Sequence, residues 1–166
     1  MGPGPFGAVI FDRETNKLLA PGVNFVLFSG YSFAHAGMVV IVVAQQIVGG
    51  FDLGGEGQPS YELVASTEPC SMCFGAVPWS GVRHLICGAR SEDAEVVGFD
   101  EGSKPGEWKR SLEERGVTVE RHVLRDEATF MLRWHAEEGG EIYNGRQAAR
   151  LGTPWGSSSG CGNRPL

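Results

Sequence analysis

His35, Cys70 and Cys73 are the residues of this chain whose types and spacing carry chemistry. A neutral imidazole and two thiolates are donors that zinc takes, and three protein ligands leave one corner of a tetrahedron for water. With water there, the ion acts catalytically rather than structurally. The cysteines lie in Pro69-Cys70-Ser71-Met72-Cys73, where proline fits the first turn of a helix running to about Val77. At a helix start, partial positive charge lowers a thiol pKa and favours the metal-binding thiolate. A lone C-x-x-C can instead be a redox pair, and a lone histidine is usually an ordinary surface or core residue. Set together, with Thr67-Glu68-Pro69 leading in and a strand-then-helix on each side, the three read as a zinc site. A fourth protein ligand would make that site structural. Cys87 ends a strand and reads as a small buried apolar residue, and Cys161 lies near the C-terminus.

The elements that must position these ligands can be read from period and punctuation. Residues 6–12 are a short apolar run closed by polar residues, hence a strand, and 18–28 are a second strand candidate broken by Pro21-Gly22. Residues 34–48 stay ambiguous. Val39-Val40-Ile41-Val42-Val43 favours strand by propensity, whereas the unbroken length and Gln45-Gln46 favour a buried helix ended by Gly49-Gly50. Residues 61–66 and 82–87 are strands, and Ser91-Glu92-Asp93 opens a short helix. Residues 107–115 are an amphipathic helix, 117–124 a strand, and Asp126 caps a helix to about Glu138. A leading hairpin followed by alternating helices and strands implies a mixed sheet of about five strands with helices on both faces.

Composition bounds the partners. A chain of 166 residues without low-complexity bulk fits one domain able to bury its own core. A net charge of −6 and a pI near 5.2 repel phosphate backbones, so a small neutral substrate is expected rather than nucleic acid. Met1 to Pro5 has neither the charged nor the apolar region of a signal peptide, and no apolar run approaches the roughly 18 residues of a membrane span. A cytoplasmic protein with no membrane segment is expected.

Further segments carry a family resemblance. They are Pro3-Gly4-Pro5-Phe6-Gly7-Ala8-Val9-Ile10, Asn24, Ala34-His35-Ala36, Thr67 through Ala76, and Gly98-Phe99-Asp100. Through them the chain resembles the cytidine/deoxycytidylate deaminase-like superfamily, most of all its guanine deaminase and tRNA adenosine deaminase branch. The resemblance implies an α/β/α three-layer sandwich with a mixed five-stranded sheet. It implies a zinc ion on His35, Cys70 and Cys73, and hydrolytic release of ammonia from a purine-like or related heterocyclic base or nucleoside. Asn24 would hydrogen-bond the base, and main-chain groups at Ala36 would contact the ring edge. Asp100 would help position or protonate the base; the alternative is a solvated loop carboxylate.

The chain departs from that family in two places. Gly37 stands where His-x-Glu places the proton-carrying glutamate. Such a group is worth roughly 10²–10⁴-fold, and Met38 beside it cannot titrate. The expectation is therefore an impaired deaminase. A catalytically inactive binding or regulatory subunit is one alternative, and a tRNA adenosine deaminase another. The last is disfavoured by the acidic balance, because Arg121, Arg125 and Arg133 are scattered among Glu127, Glu137 and Glu138. The family's usual first helix also has no counterpart before the hairpin, which would leave apolar surface uncovered. A homodimer is expected through that face and through Phe74, Val77 and Trp79. Residues 1–146 are read as the zinc domain. The chain turns Gly/Ser/Pro-rich from Gly139, and 147–166 are read as a flexible tail.

Overall fold

The structure, a computed structural model, describes residues 4–144; the tail expected over 147–166 lies outside them. Strand β1 (Gly7–Asp12) and strand β2 (Lys17–Val23) form the hairpin. A four-residue helix α1 (Val26–Ser29) and the long helix α2 (Ala36–Val48) follow. Then come β3 (Tyr61–Thr67), α3 (Ser71–Ser80), β4 (His84–Ala89), α4 (Ser91–Val96), α5 (Trp108–Glu113), β5 (Thr118–Glu120) and α6 (Arg125–Glu137). The strands form one mixed sheet in the order β2-β1-β3-β4-β5. The β1 pairings with β2 and β3 are antiparallel, and the β3–β4 and β4–β5 pairings are parallel.

The ambiguous segment 34–48 is helical. Ala36, Val40, Ile41 and Ala44 share one buried face, and burying that face on β1 and β2 outweighs the strand propensity of five β-branched residues in a row. Gly49 ends the helix in the left-handed conformation, its N–H donating to the Gln45 carbonyl. The helix lies very close to β2. A Cβ added at Gly22 would stand 2.7 Å from the Ala36 carbonyl oxygen and from the Val40 nitrogen and Cβ. Glycine there is a condition of the close approach.

Two strands are shorter than the sequence suggests. β2 keeps Pro21 and Gly22 because it is an edge strand, where a missing N–H costs little, but it stops at Val23 and the chain turns into α1. β5 holds three residues rather than the run 117–124, since His122 and Leu124 adopt positive φ and leave the sheet. Helix α6 accordingly starts from Leu124, with Asp126 in its first turn rather than at its cap. Helix α3 starts one residue later than expected, with Cys70 as N-cap, and runs past Val77 through Pro78 to Ser80.

The main core joins Ile10, Leu63, Leu85 and Val119 of the sheet to Val40, Val77, Trp108 and Leu112 of α2, α3 and α5. A smaller cluster gathers Ala89, Ala94, Phe99 and Leu132. Cys87 belongs to the main core, whereas a Cβ at neighbouring Gly88 would meet Ala128 of α6. Successive strand residues face opposite ways, so α6 covers the face opposite α2. The expected fraying from Gly139 is not what 139–144 do. Ile142 and Tyr143 pack on the smaller cluster, and Asn144 Nδ2 donates to the Gly98 carbonyl at 2.9 Å.

Candidate metal centre and active site

Two helix starts meet at the C-terminal end of β3. His35 is the N-cap of α2 and Cys70 the N-cap of α3, both in extended backbone, and neither side chain caps its own helix. Serine, threonine, aspartate or asparagine would ordinarily stand there. Forgoing the cap leaves both side chains free to face each other, and Cys70 Sγ lies 3.3 Å from His35 Nδ1. Cys73 joins them from the first turn of α3. One donor atom from each of the three residues lies within 4.8 Å of the others. Two ligands on one tetrahedral zinc stand roughly 3.5 Å apart, so the trio fits the ion.

The thiols are electrically prepared for a cation. The Cys73 thiol hydrogen-bonded to it draws Cys70 down to about 4, and His35 adds to this. Cys73 is pushed up by the same shared hydrogen bond and by burial. The two thiols are thus pushed in opposite directions by the hydrogen bond they share, and both must be thiolates to hold a dication. Cys87 is fully buried in the core, where desolvation raises its thiol to about 12, as fits an inert packing residue. Cys161 lies outside the described residues.

The ligands line a cavity of about 80 Å³ together with Asn24, Ala36, Gly37, Phe99, Glu101 and Tyr143. Asn24 is 2% exposed, with its Oδ1 accepting from the Val26 N–H at 3.2 Å and its Nδ2 donating to Tyr143 Oη at 2.6 Å. Burial pushes the Tyr143 phenol up. Position 37 borders the ligands directly. A Cβ added there would stand 3.3 Å from Cys73 Sγ, so any longer side chain would start beside the metal centre.

Asp100 lines the same cavity but is exposed; its carboxylate accepts the Gly102 N–H, and its own N–H donates to Asn144. The next residue, Glu101, is 7% exposed. Burial first, then the charge of Cys70, raises its carboxyl to about 8. Sequence reading passed over Glu101 because two adjacent acids in a loop look alike until the chain's direction is known. It passed over Tyr143 because that residue lies in the segment taken for a tail.

Comparison with known proteins agrees with this geometry. The profile described as the cytidine and deoxycytidylate deaminase zinc-binding region matches residues 2–89. Guanine deaminase of Bacillus subtilis is 31% identical over 131 residues, which cover 79% of this chain and 80% of that protein. A solved guanine deaminase structure from Nitrosomonas europaea is 48% identical with a TM-score of 0.80, over 81% of this chain and 74% of that one. A tRNA-specific adenosine deaminase of Rickettsia bellii is 32% identical over 85 residues, 51% of this chain and 55% of that protein.

Proposed function

This chain belongs to the cytidine and deoxycytidylate deaminase family, a family of zinc-dependent hydrolases, and on that premise we propose that its substrate is a purine-like base, guanine foremost. The observation that carries the reading is the convergence of His35, Cys70 and Cys73 on one cavity with Asn24 and Glu101. A zinc ion held by the three ligands would supply Lewis-acid activation of water. Asn24, fixed by Val26 and Tyr143, orients the ring by hydrogen bonding. The main chain at Ala36 meets the ring edge, and the aromatic side chains of Phe99 and Tyr143 help keep bulk water out. Glu101 is the buried carboxyl that can hold a proton beside the ring, and Asp100 at the rim assists by positioning the loop. With glycine at 37, proton movement between water, ring and leaving amine lacks its usual carrier, so turnover is slow.

Zinc content and ammonia release from guanine, adenine and cytosine, measured on the protein and on Gly37→Glu, test this reading. Stoichiometric zinc and release from guanine by the variant are expected. Metal-free folded protein, or a variant inert toward all three bases, would overturn it.

Gly37 itself favours a second reading, a regulatory or binding subunit that is silent alone. Activity that appears only on mixing with a deaminase carrying the glutamate would select it. Polynucleotide substrates are disfavoured by the charge of −6, and salt-sensitive tRNA binding would speak for them.

The finer expectations follow the same frame. We place the protein in the cytoplasm, since a centre built on reduced cysteines suits a reducing compartment, and no helix among the described residues is long and apolar enough to cross a membrane. A homodimer is supported by Trp79, 80% exposed, and half-buried Phe74 on the charge-free helix α3, while Val77 belongs to the monomer core.

A further inference from the structure

The segment that presents Cys70 is gripped by two cations, Lys104 and Arg121, that do not line the cavity. Lys104 Nζ donates to the Pro69 carbonyl at 2.7 Å and to Ser91 Oγ at 2.5 Å, and lies 5.0 Å from the centre of the Trp108 ring. The Arg121 guanidinium lies 5.3 Å from the same ring centre. Arg121 also pairs at 2.6 Å with the carboxylate of Glu68, which is 3% exposed and accepts the Ser91 N–H through its other oxygen. From the far side, the Ser71 N–H and hydroxyl donate to the carbonyls of Glu101 and Ser103. Residues 68, 69 and 71 are thus each tied down, and Cys70 sits between them. The ring of Trp108, itself buried, joins the two cations, so the loop carrying Glu101 and the loop carrying Cys70 share one anchor.

We propose that Lys104 and Arg121, both seated on Trp108, are positioning residues that fix the Glu68-Pro69-Cys70 backbone and so hold the Cys70 sulfur in register with His35 and with the Glu101 loop. This rests on the zinc-centre reading above. Lys104 acts through its hydrogen bond to the Pro69 carbonyl and Arg121 through its ion pair with the Glu68 side chain, rather than through contact with the ion. Groups in that relation to a metal are worth roughly 10–100-fold in metal affinity.

The test is a zinc competition titration against a chromogenic chelator, on full-length metal-free protein that circular dichroism shows to be folded. Lys104 is half-buried, and Lys104→Met keeps the length of its apolar stem while removing the charge. Its zinc dissociation constant should rise about 10–100-fold, as should that of Arg121→Met, with Lys104→Arg recovering most of the loss. Lys109→Met removes the same charge from a surface pair with Glu113 and should bind zinc like the parent. The thiolate-to-cobalt absorption of the cobalt-loaded protein should shift in Lys104→Met and not in Lys109→Met. A Lys104→Met protein with lowered melting temperature but unchanged zinc affinity and cobalt spectrum would reduce the lysine to fold support and overturn the proposal. A parent that binds no zinc would instead remove the metal centre, and the proposal with it.

Discussion

The side-chain amide of Asn24 donates to the phenolic oxygen of Tyr143 at 2.6 Å, tying the end of the hairpin to the segment beyond the last helix. That bond joins two residues of the cavity lining and fixes the one side-chain amide found there among the described residues. Tyr143→Phe leaves the Asn24 amide unpaired at 2% exposure, which costs about 1–3 kcal/mol of stability by urea unfolding. An unchanged midpoint would mean that residues 139–144 are not docked in solution.

Gly37→Glu should raise ammonia release from guanine by at least roughly 10²-fold. Gly37→Ala separates carboxylate from bulk. Its Cβ needs Cys73 Sγ to give by a few tenths of an ångström from 3.3 Å, and helix propensity offers up to about 1 kcal/mol in return. The alanine variant should therefore be no less stable than the parent and no more active. An alanine variant that matched the glutamate variant would show that side-chain bulk, not proton transfer, is what position 37 lacks.

The two neighbouring acids should separate cleanly when each is neutralised in the Gly37→Glu background. Glu101→Gln should cut turnover by roughly 10²-fold, because this acid is the buried one that lines the cavity with the metal ligands. Asp100→Asn should leave turnover within a few-fold. Steady-state kinetics on guanine decide between them, and the reverse order of effects would restore Asp100 to the chemistry.

Asp93, which does not line the cavity, gives a pH signature of its own. Its carboxylate accepts two hydrogen bonds from Arg125 and one from the Arg90 N–H, and Arg125 holds its pKa well below the ordinary carboxylate range. A depressed carboxyl stabilises the fold above its unfolded value and loses that contribution as pH falls toward the folded value. Asp93→Asn should thus be less stable by roughly 1 kcal/mol at neutral pH, the pair being partly exposed. The gap should close only as pH drops below about 4. Denaturant midpoints across pH check this; a gap that stayed constant into strong acid would deny the linkage.

Trp79→Asp should convert a dimer to a monomer in sedimentation equilibrium at micromolar concentration, since an unpaired carboxylate in a dry interface costs several kcal/mol. Because Trp79 is 80% exposed in the single chain, the variant should keep the parent's circular dichroism. A dimer that survives the change would place the contact elsewhere, and a parent that sediments as one chain would dispose of the dimer.

The metal ligands were legible because their spacing is local: Cys70 and Cys73 lie three apart at the start of one helix, and His35 stands at the start of another. The sheet was legible wherever apolar runs met turn residues. What resisted reading depended on tertiary contact. Residues 39–43 carry strand propensity, and only the docking of Val40, Ile41 and Ala44 on β1 and β2 makes them helical. Glu101 differs from Asp100 by one step of a loop whose direction is set by Ser71 and Gly102. Ile142 and Tyr143 lie among glycines, and nothing in their neighbourhood along the chain announces Phe99 or Asn24, more than forty positions away.

Gly22 sits on the outermost strand, a place where substitution is ordinarily forgiven. Here the backbone of α2 lies against it, and His35 is the residue immediately before that helix. Any side chain at 22 would lever the helix outward and carry the imidazole with it. In a saturation library selected for zinc retention, position 22 should be as empty of alternatives as positions 35, 70 and 73, an edge residue behaving as though it were a ligand.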